Sequence, residues 1–311
     1  MYVHVYSGLM SRCITLAHAY YLLKNRGGQE KLIIVWPVDI DCGIHFKEVF
    51  ADDIFSDVDL TVIEDDTKYL RSGGVWLNIR KGSCKKAISI AVMKIRGCVI
   101  KRLPAIVFGK NYFDYEPLKE LGWSGTRYRE HLVNTWNKVK KALSDHKKVY
   151  IHAYCGIIKD AEQEKVDVSV IKFRDEYWKK VEELVGLEEK CIGIHIRRTD
   201  HQVAIKGSST KAFINKIDEI VEKEKDIKFF LATDDMDEEK TLKQIYGEKI
   251  ITQPDKKWGR GSSKEMQSGI IDCLCLSCCK YIVGSCGSVF SAFAARYGKK
   301  DLVICKEDDG N

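Results

Sequence analysis

Cys191-Ile-Gly-Ile-His-Ile-Arg-Arg-Thr-Asp200 opens as an apolar, β-branched run and closes on four polar residues. A run with no polar face reads as a strand buried on both sides, the kind found in parallel sheets. It sits inside a regular alternation. Helices are expected at Asp175–Glu188, Thr210–Lys225, Glu238–Tyr246, Ser263–Cys279 and Ser288–Tyr297. Strands are expected at Lys228–Ala232, Lys249–Thr252, Tyr281–Val283 and Leu302–Cys305. Strands separated by helices of about ten residues or more specify a parallel α/β sheet.

The same rhythm opens the chain. Tyr2–Tyr6 reads as a strand, Arg12–Lys24 as a helix, and Lys31–Trp36 as a strand closed by Pro37. Arg127–Ser144 reads as a helix and Lys148–Ala153 as a strand, while the region before them is less legible. A length of 311 residues accommodates two such sheets. The expected organisation is a doubly wound α/β chain with an N-terminal domain over residues 1–165 and a C-terminal domain over 166–311. There is no internal repeat or low-complexity tract.

Composition narrows the class. Hydrophobic residues at 45% and charged residues at 31% are ordinary for a globular protein and exclude disorder and collagen. No window approaches the ~18 apolar residues of a membrane span. Met1–Ser7 lacks the features of a signal peptide and reads as the first strand. The twelve cysteines, Cys13, Cys98, Cys191, Cys273 and Cys305 among them, stand mostly in apolar surroundings and read as core residues of a reducing, cytoplasmic compartment. The cluster Cys273–Cys279 has no second pair at zinc-site spacing, so no metal is expected there.

The net charge of +6 conceals a segregation. Residues 48–66 hold eight acidic groups and no basic one, whereas 67–113 hold eleven Lys/Arg and no acidic one. Without that basic stretch the rest of the chain is net acidic, so a nucleic-acid partner is not expected. The two blocks form solvated surfaces, or the basic one makes a rim for an anionic substrate or membrane face.

In open α/β sheets, ligands bind beyond the carboxyl ends of the strands. His195, Arg197, Arg198 and Asp200 emerge there. Two adjacent arginines call for an anion, which arginine recognises in bidentate fashion, or for pairing with Asp200, Asp234 or Asp235. Val283-Gly-Ser-Cys-Gly-Ser-Val289 is a strand, a Gly/Ser turn and a helix start, a form suited to phosphate through Ser285, Ser288 and backbone N–H groups. Ser288 also suits the N-cap of the helix that follows. Asp272 is an isolated carboxylate in an apolar helix and needs a partner: a guanine edge, an arginine, or solvent. Gly8 and Arg12, in Ser7-Gly-Leu-Met-Ser-Arg12, open a helix directly after the first strand, where Arg12 is expected to face a crevice between the domains. The bland alternative is an ordinary β–α turn.

Taken in order, these residues resemble the motifs of the GDP-fucose-dependent fucosyltransferase superfamily. His195-Ile-Arg-Arg-Thr-Asp200 is similar to its first motif, nearest the α1,6 and nodulation-type branch. Ile270–Ser277, Tyr281–Ser285 and Ser288 resemble its later motifs, and Gly8–Arg12 its N-terminal glycine turn. The resemblance implies a GT-B fold, two Rossmann-like domains facing a cleft. It also implies inverting, metal-independent transfer of fucose from GDP-fucose to a glycan or glycolipid acceptor, with no cofactor. Arg197 would then neutralise the departing β-phosphate, supported by His195 and Arg198, with Asp272 at guanine and Ser288 at a phosphate. His201 and Ile205 stand where that branch tends to place a lysine and an acidic residue, which leaves Asp200 as the candidate base. The compact chain suits a bacterial-type enzyme, cytoplasmic or peripheral to a membrane through residues 67–113. Alternatives are a GT-B transferase using another nucleotide sugar and a non-catalytic nucleotide- or glycan-binding module.

Overall fold

The computed structural model describes residues 1–25, 31–65, 104–116, 126–186 and 191–306. Most of the basic stretch 67–113, with Cys84 and Cys98, lies outside them. The chain divides into two compact units, one of residues 1–46 and 55–166, the other of 47–54 and 167–311.

The first unit is built on β1 (Tyr2–Val5), β2 (Leu32–Pro37), β3 (Leu60–Asp65), β4 (Tyr112–Asp114) and β5 (Tyr150–Ala153). They form one sheet in the order β3-β2-β1-β5-β4, and each described pairing is parallel. Helices α1 (Leu9–Lys24) and α2 (Thr126–Ser144) belong to this unit. Helix α1 starts one turn earlier than the sequence suggests, after Gly8, because Leu9 and Met10 are also buried. Strands β3 and β4 fill the part of the sequence that was hard to read.

The second unit contains β6 (Cys191–Ile196), β7 (Lys228–Thr233), β8 (Ile250–Ile251), β9 (Ile282–Ser285) and β10 (Leu302–Cys305). Their order is β10-β9-β6-β7-β8, again parallel throughout. The helices are α3 (Asp175–Val185), α4 (Gln202–Gly207), α5 (Thr210–Lys223), α6 (Met236–Tyr246), α7 (Ser263–Ser277) and α8 (Val289–Gly298). Helix α3 stops at Val185, short of Glu188, because Gly186 takes a φ of +67° that ends the helical path. Helix α7 starts with a capping box between Ser262 and Glu265, worth about 1 kcal/mol.

Every residue of β6 is buried, as its unbroken apolar run requires. One face supplies Ile192, Ile194 and Ile196 to a core with Phe213, Ile217, Phe229 and Leu242. On the other, Gly193 admits α7 at close range: a Cβ there would lie 2.8 Å from Leu276 Cδ2. Cys13, Cys191, Cys273 and Cys305 are buried free thiols, and Cys191 Sγ lies 3.5 Å from Cys279 Sγ. Residues 47–54 join this unit through a Phe50–Phe173 bridge and an Ala51 N–H bond to the Lys172 carbonyl at 2.9 Å. Among the described residues no helix is long and apolar enough to cross a membrane.

Candidate functional site

The chain leaves β6 for β7 and β8 on one side of the second sheet, then returns to β9 and β10 on the other. Strand order therefore reverses between β6 and β9. The carboxyl end of such a switch point is where doubly wound sheets bind ligands. Residues 195–200 and 284–288 both emerge there.

Ser285 joins the two strand ends. Its side chain, fully buried, accepts the Arg197 N–H at 3.0 Å and donates to the His195 carbonyl at 3.3 Å. The Ser285 hydroxyl thus fixes the backbone from which Arg197 projects. Ser288 stands at the N-cap of α8 but makes no side-chain cap bond, and it is 9% exposed.

Arg197 is the half-buried cation of the edge. Its Nη1 lies 2.6 Å from Asp234 Oδ2 and its Nη2 pairs with Asp200. The other oxygen of Asp200 accepts Arg260 Nη2 at 2.9 Å. Asp234 is gripped further by the Arg198 N–H at 2.7 Å and the Thr199 hydroxyl at 2.6 Å. Burial works against its ionisation, but Arg197 and these donors outweigh it and hold the carboxyl below its ordinary range. The outcome is a chain of alternating charge, Asp234–Arg197–Asp200–Arg260. Asp200 is its most exposed link, with 51% of its side chain open.

Adjacent residues diverge after a strand, and Arg198 goes the other way. Its Nε pairs with Glu238, Nη1 donates to the Ser208 carbonyl at 2.8 Å, and Nη2 reaches Thr210. All three nitrogens hold α5, α6 and the turn between α4 and α5 together. Arg198, expected to support the donor site, here uses its guanidinium as a structural clamp.

His195 is 4% exposed, with its ring stacked on Phe290 at 4.8 Å. Burial first, then the charge of Arg197, pushes its pKa down to about 3. It is neutral at physiological pH and offers a phosphate no charge.

Asp272 is also spoken for. Lys256 Nζ lies 2.6 Å from one carboxylate oxygen, and the Gln253 amide donates to the other. Burial raises its pKa in spite of Lys256 and Gln253. Lys256 donates as well to the Thr233 carbonyl at 2.6 Å, beside Asp234. Asp272 thus orients an ammonium, and a guanine edge is not needed to satisfy it.

Gly8 and Arg12 belong to the first unit. Arg12 is completely buried and pairs with Asp39, also buried, at 3.0 Å. Its Nε donates to the Ser7 carbonyl at 2.7 Å, and its Nη1 to that of Pro37. Arg12 thus forms an internal ion pair, because Asp39 reaches it from the loop after β2.

Sequence reasoning missed Arg260 and Lys256. Both lie in Lys256-Lys-Trp-Gly-Arg260, a short basic loop after β8, and their position beyond a strand end was the available signal.

No protein-family description matches the sequence. No curated protein matches it either. Solved structures match its fold. NodZ alpha-1,6-fucosyltransferase soaked with GDP-fucose has a TM-score of 0.52 at 18% identity, over 99% of this chain and 95% of that one. POFUT1 in complex with GDP has a TM-score of 0.51 at 9% identity, over 98% of each chain. Fucosyltransferase NodZ from Bradyrhizobium has a TM-score of 0.50 at 16% identity, over 94% and 91%. At these identities the likeness is one of fold: two Rossmann-like parallel-sheet units, as in these GT-B neighbours.

Proposed function

We propose that the protein is an inverting glycosyltransferase that moves fucose from GDP-fucose to a glycan acceptor, with no metal at the donor diphosphate. The observation that carries this reading is Arg197, poised at the switch point of the second sheet between Asp234 and a half-exposed Asp200. The GDP and GDP-fucose named for the structural neighbours support the choice of nucleotide.

The charge chain suggests how the donor enters. A diphosphate takes the place of Asp200 between Arg197 and Arg260, while Asp234, held by several donors, keeps Arg197 aimed. As the bond from the anomeric carbon to the β-phosphate oxygen breaks, negative charge collects on that oxygen. Arg197 is already oriented there, so little reorganisation accompanies the step. The acceptor hydroxyl forms the new bond to the anomeric carbon, and its proton passes to the displaced Asp200 carboxylate. Ser285 holds the Arg197 backbone throughout.

The test is transfer itself. GDP-fucose incubated with the protein and a panel of acceptor glycans should yield a product heavier by one deoxyhexose residue, together with GDP. Transfer from a UDP- or CDP-sugar but not from GDP-fucose overturns the donor assignment. Nucleotide binding with no turnover overturns the enzymatic one.

A further inference from the structure

The first sheet also reverses its strand order, between β1 and β5, and a second cluster of polar groups gathers at those strand ends. His4 pairs in register with His152, and His152 with Asp114, so the three side chains form a row on one face. Two residues further along the chain from His4 and Asp114 stand Tyr6 and Glu116.

Asp114, Glu116 and His152 each offer a ligand atom, and these atoms lie within 4.8 Å of one another. Asp114 Oδ1 is 3.0 Å from His152 Nδ1 and accepts the Glu116 N–H at 2.9 Å. The second observation is Tyr6. It is 1% exposed, its ring lies 4.3 Å from that of His152, and its hydroxyl has no hydrogen-bond partner among the described residues. Burial above all, then the charges of Asp114 and Glu116, push the pKa of that hydroxyl up. A buried phenol without a partner is costly, and a bound cation is one group that would complete it.

We propose that Asp114, Glu116 and His152, with the Tyr6 hydroxyl as a further oxygen donor, form a site for one divalent cation, Mn2+ or Zn2+. The donor set selects the ion class. One imidazole with two carboxylates and no thiolate suits such ions better than Ca2+ or Cu(I). The spacing agrees. At a metal–ligand distance of about 2.1 Å, the neighbouring ligands of an octahedral Mn2+ lie ~3.0 Å apart and opposite ones ~4.2 Å. The Asp114–His152 separation of 3.0 Å fits the first of these. The widest separation of 4.8 Å closes onto the second with a shift of about half an ångström, within side-chain adjustment. All of these residues belong to the first unit, so the cation is not the one dispensed with at the donor diphosphate in the second.

Full-length protein, stripped with EDTA and titrated with MnCl2, is read by loss of the free-ion EPR signal, with ZnCl2 as competitor. One Mn2+ per chain is expected, displaced by Zn2+. Asp114→Asn and Glu116→Gln should each weaken binding by ~10-fold or more while the metal-free melting temperature is kept. Glu116, partly exposed, is the variant that leaves packing least disturbed. Absence of saturable binding below millimolar Mn2+ overturns the site. So does binding that is indifferent to both substitutions. Neither readout involves GDP or turnover, so this proposal and the donor assignment fail separately.

Discussion

Arg197→Ala is expected to slow GDP-fucose turnover by about a hundred- to a thousand-fold, the ~2.7–4 kcal/mol typical of losing one preorganised charge-stabilising donor. The size follows from the position. Arg197 is the cation at the switch point whose partners include a carboxylate exposed enough to leave, with 18% of its own side chain open. Arg198, one residue on, is tied to Glu238 in an almost closed environment and cannot substitute for it. The fold should survive, since Asp234 keeps the Thr199 hydroxyl and the Arg198 backbone N–H. Arg197→Lys retains the charge but loses the two-pronged geometry, so an intermediate rate is expected. Donor hydrolysis and transfer rates, with melting curves as control, provide the check. A wild-type rate from the alanine variant would remove Arg197 from the mechanism.

Breaking the buried pair in the first unit should have the largest effect on stability. Arg12→Met leaves Asp39 enclosed without its partner, and Asp39→Leu does the same to Arg12. Each is expected to cost about 3–5 kcal/mol. The double variant Arg12→Met/Asp39→Leu should recover much of that loss. The reason is visible at Asp39, where burial raises the pKa even with Arg12 alongside. Desolvation therefore outweighs attraction, and a matched apolar pair escapes both. The folded single variants should bind GDP as the parent does. Chemical denaturation of the four proteins measures the coupling. Additive losses would show that the two residues do not act as a pair.

The β6–Asp200 segment was legible because a fully apolar run followed by charge has few other readings. The same run hid the difference between Arg197 and Arg198. A one-dimensional motif puts both at the edge, whereas a strand sends neighbouring residues to opposite faces. Glu238 decides the matter for Arg198, yet it lies on a helix whose pattern gave no sign of a buried acid. Arg260 was out of reach for another reason. It meets Asp200 across sixty residues, through a loop without periodicity. Strand β3 was masked by the acidity around it, although Leu60-Thr-Val-Ile-Glu-Asp65 is β-branched at its centre. The cluster in the first unit needs the β1–β5–β4 register, which sequence separation conceals.

The central claim is a guanine nucleotide diphosphate held at the β6–β9 switch point, and calorimetric titration of GDP, UDP and CDP into EDTA-treated protein tests it most directly. The account predicts saturable binding of GDP with one site per chain, no comparable binding of UDP or CDP, and loss of the GDP signal in Arg197→Ala. Equal binding of all three nucleotides, or GDP binding that survives the loss of Arg197, would contradict it.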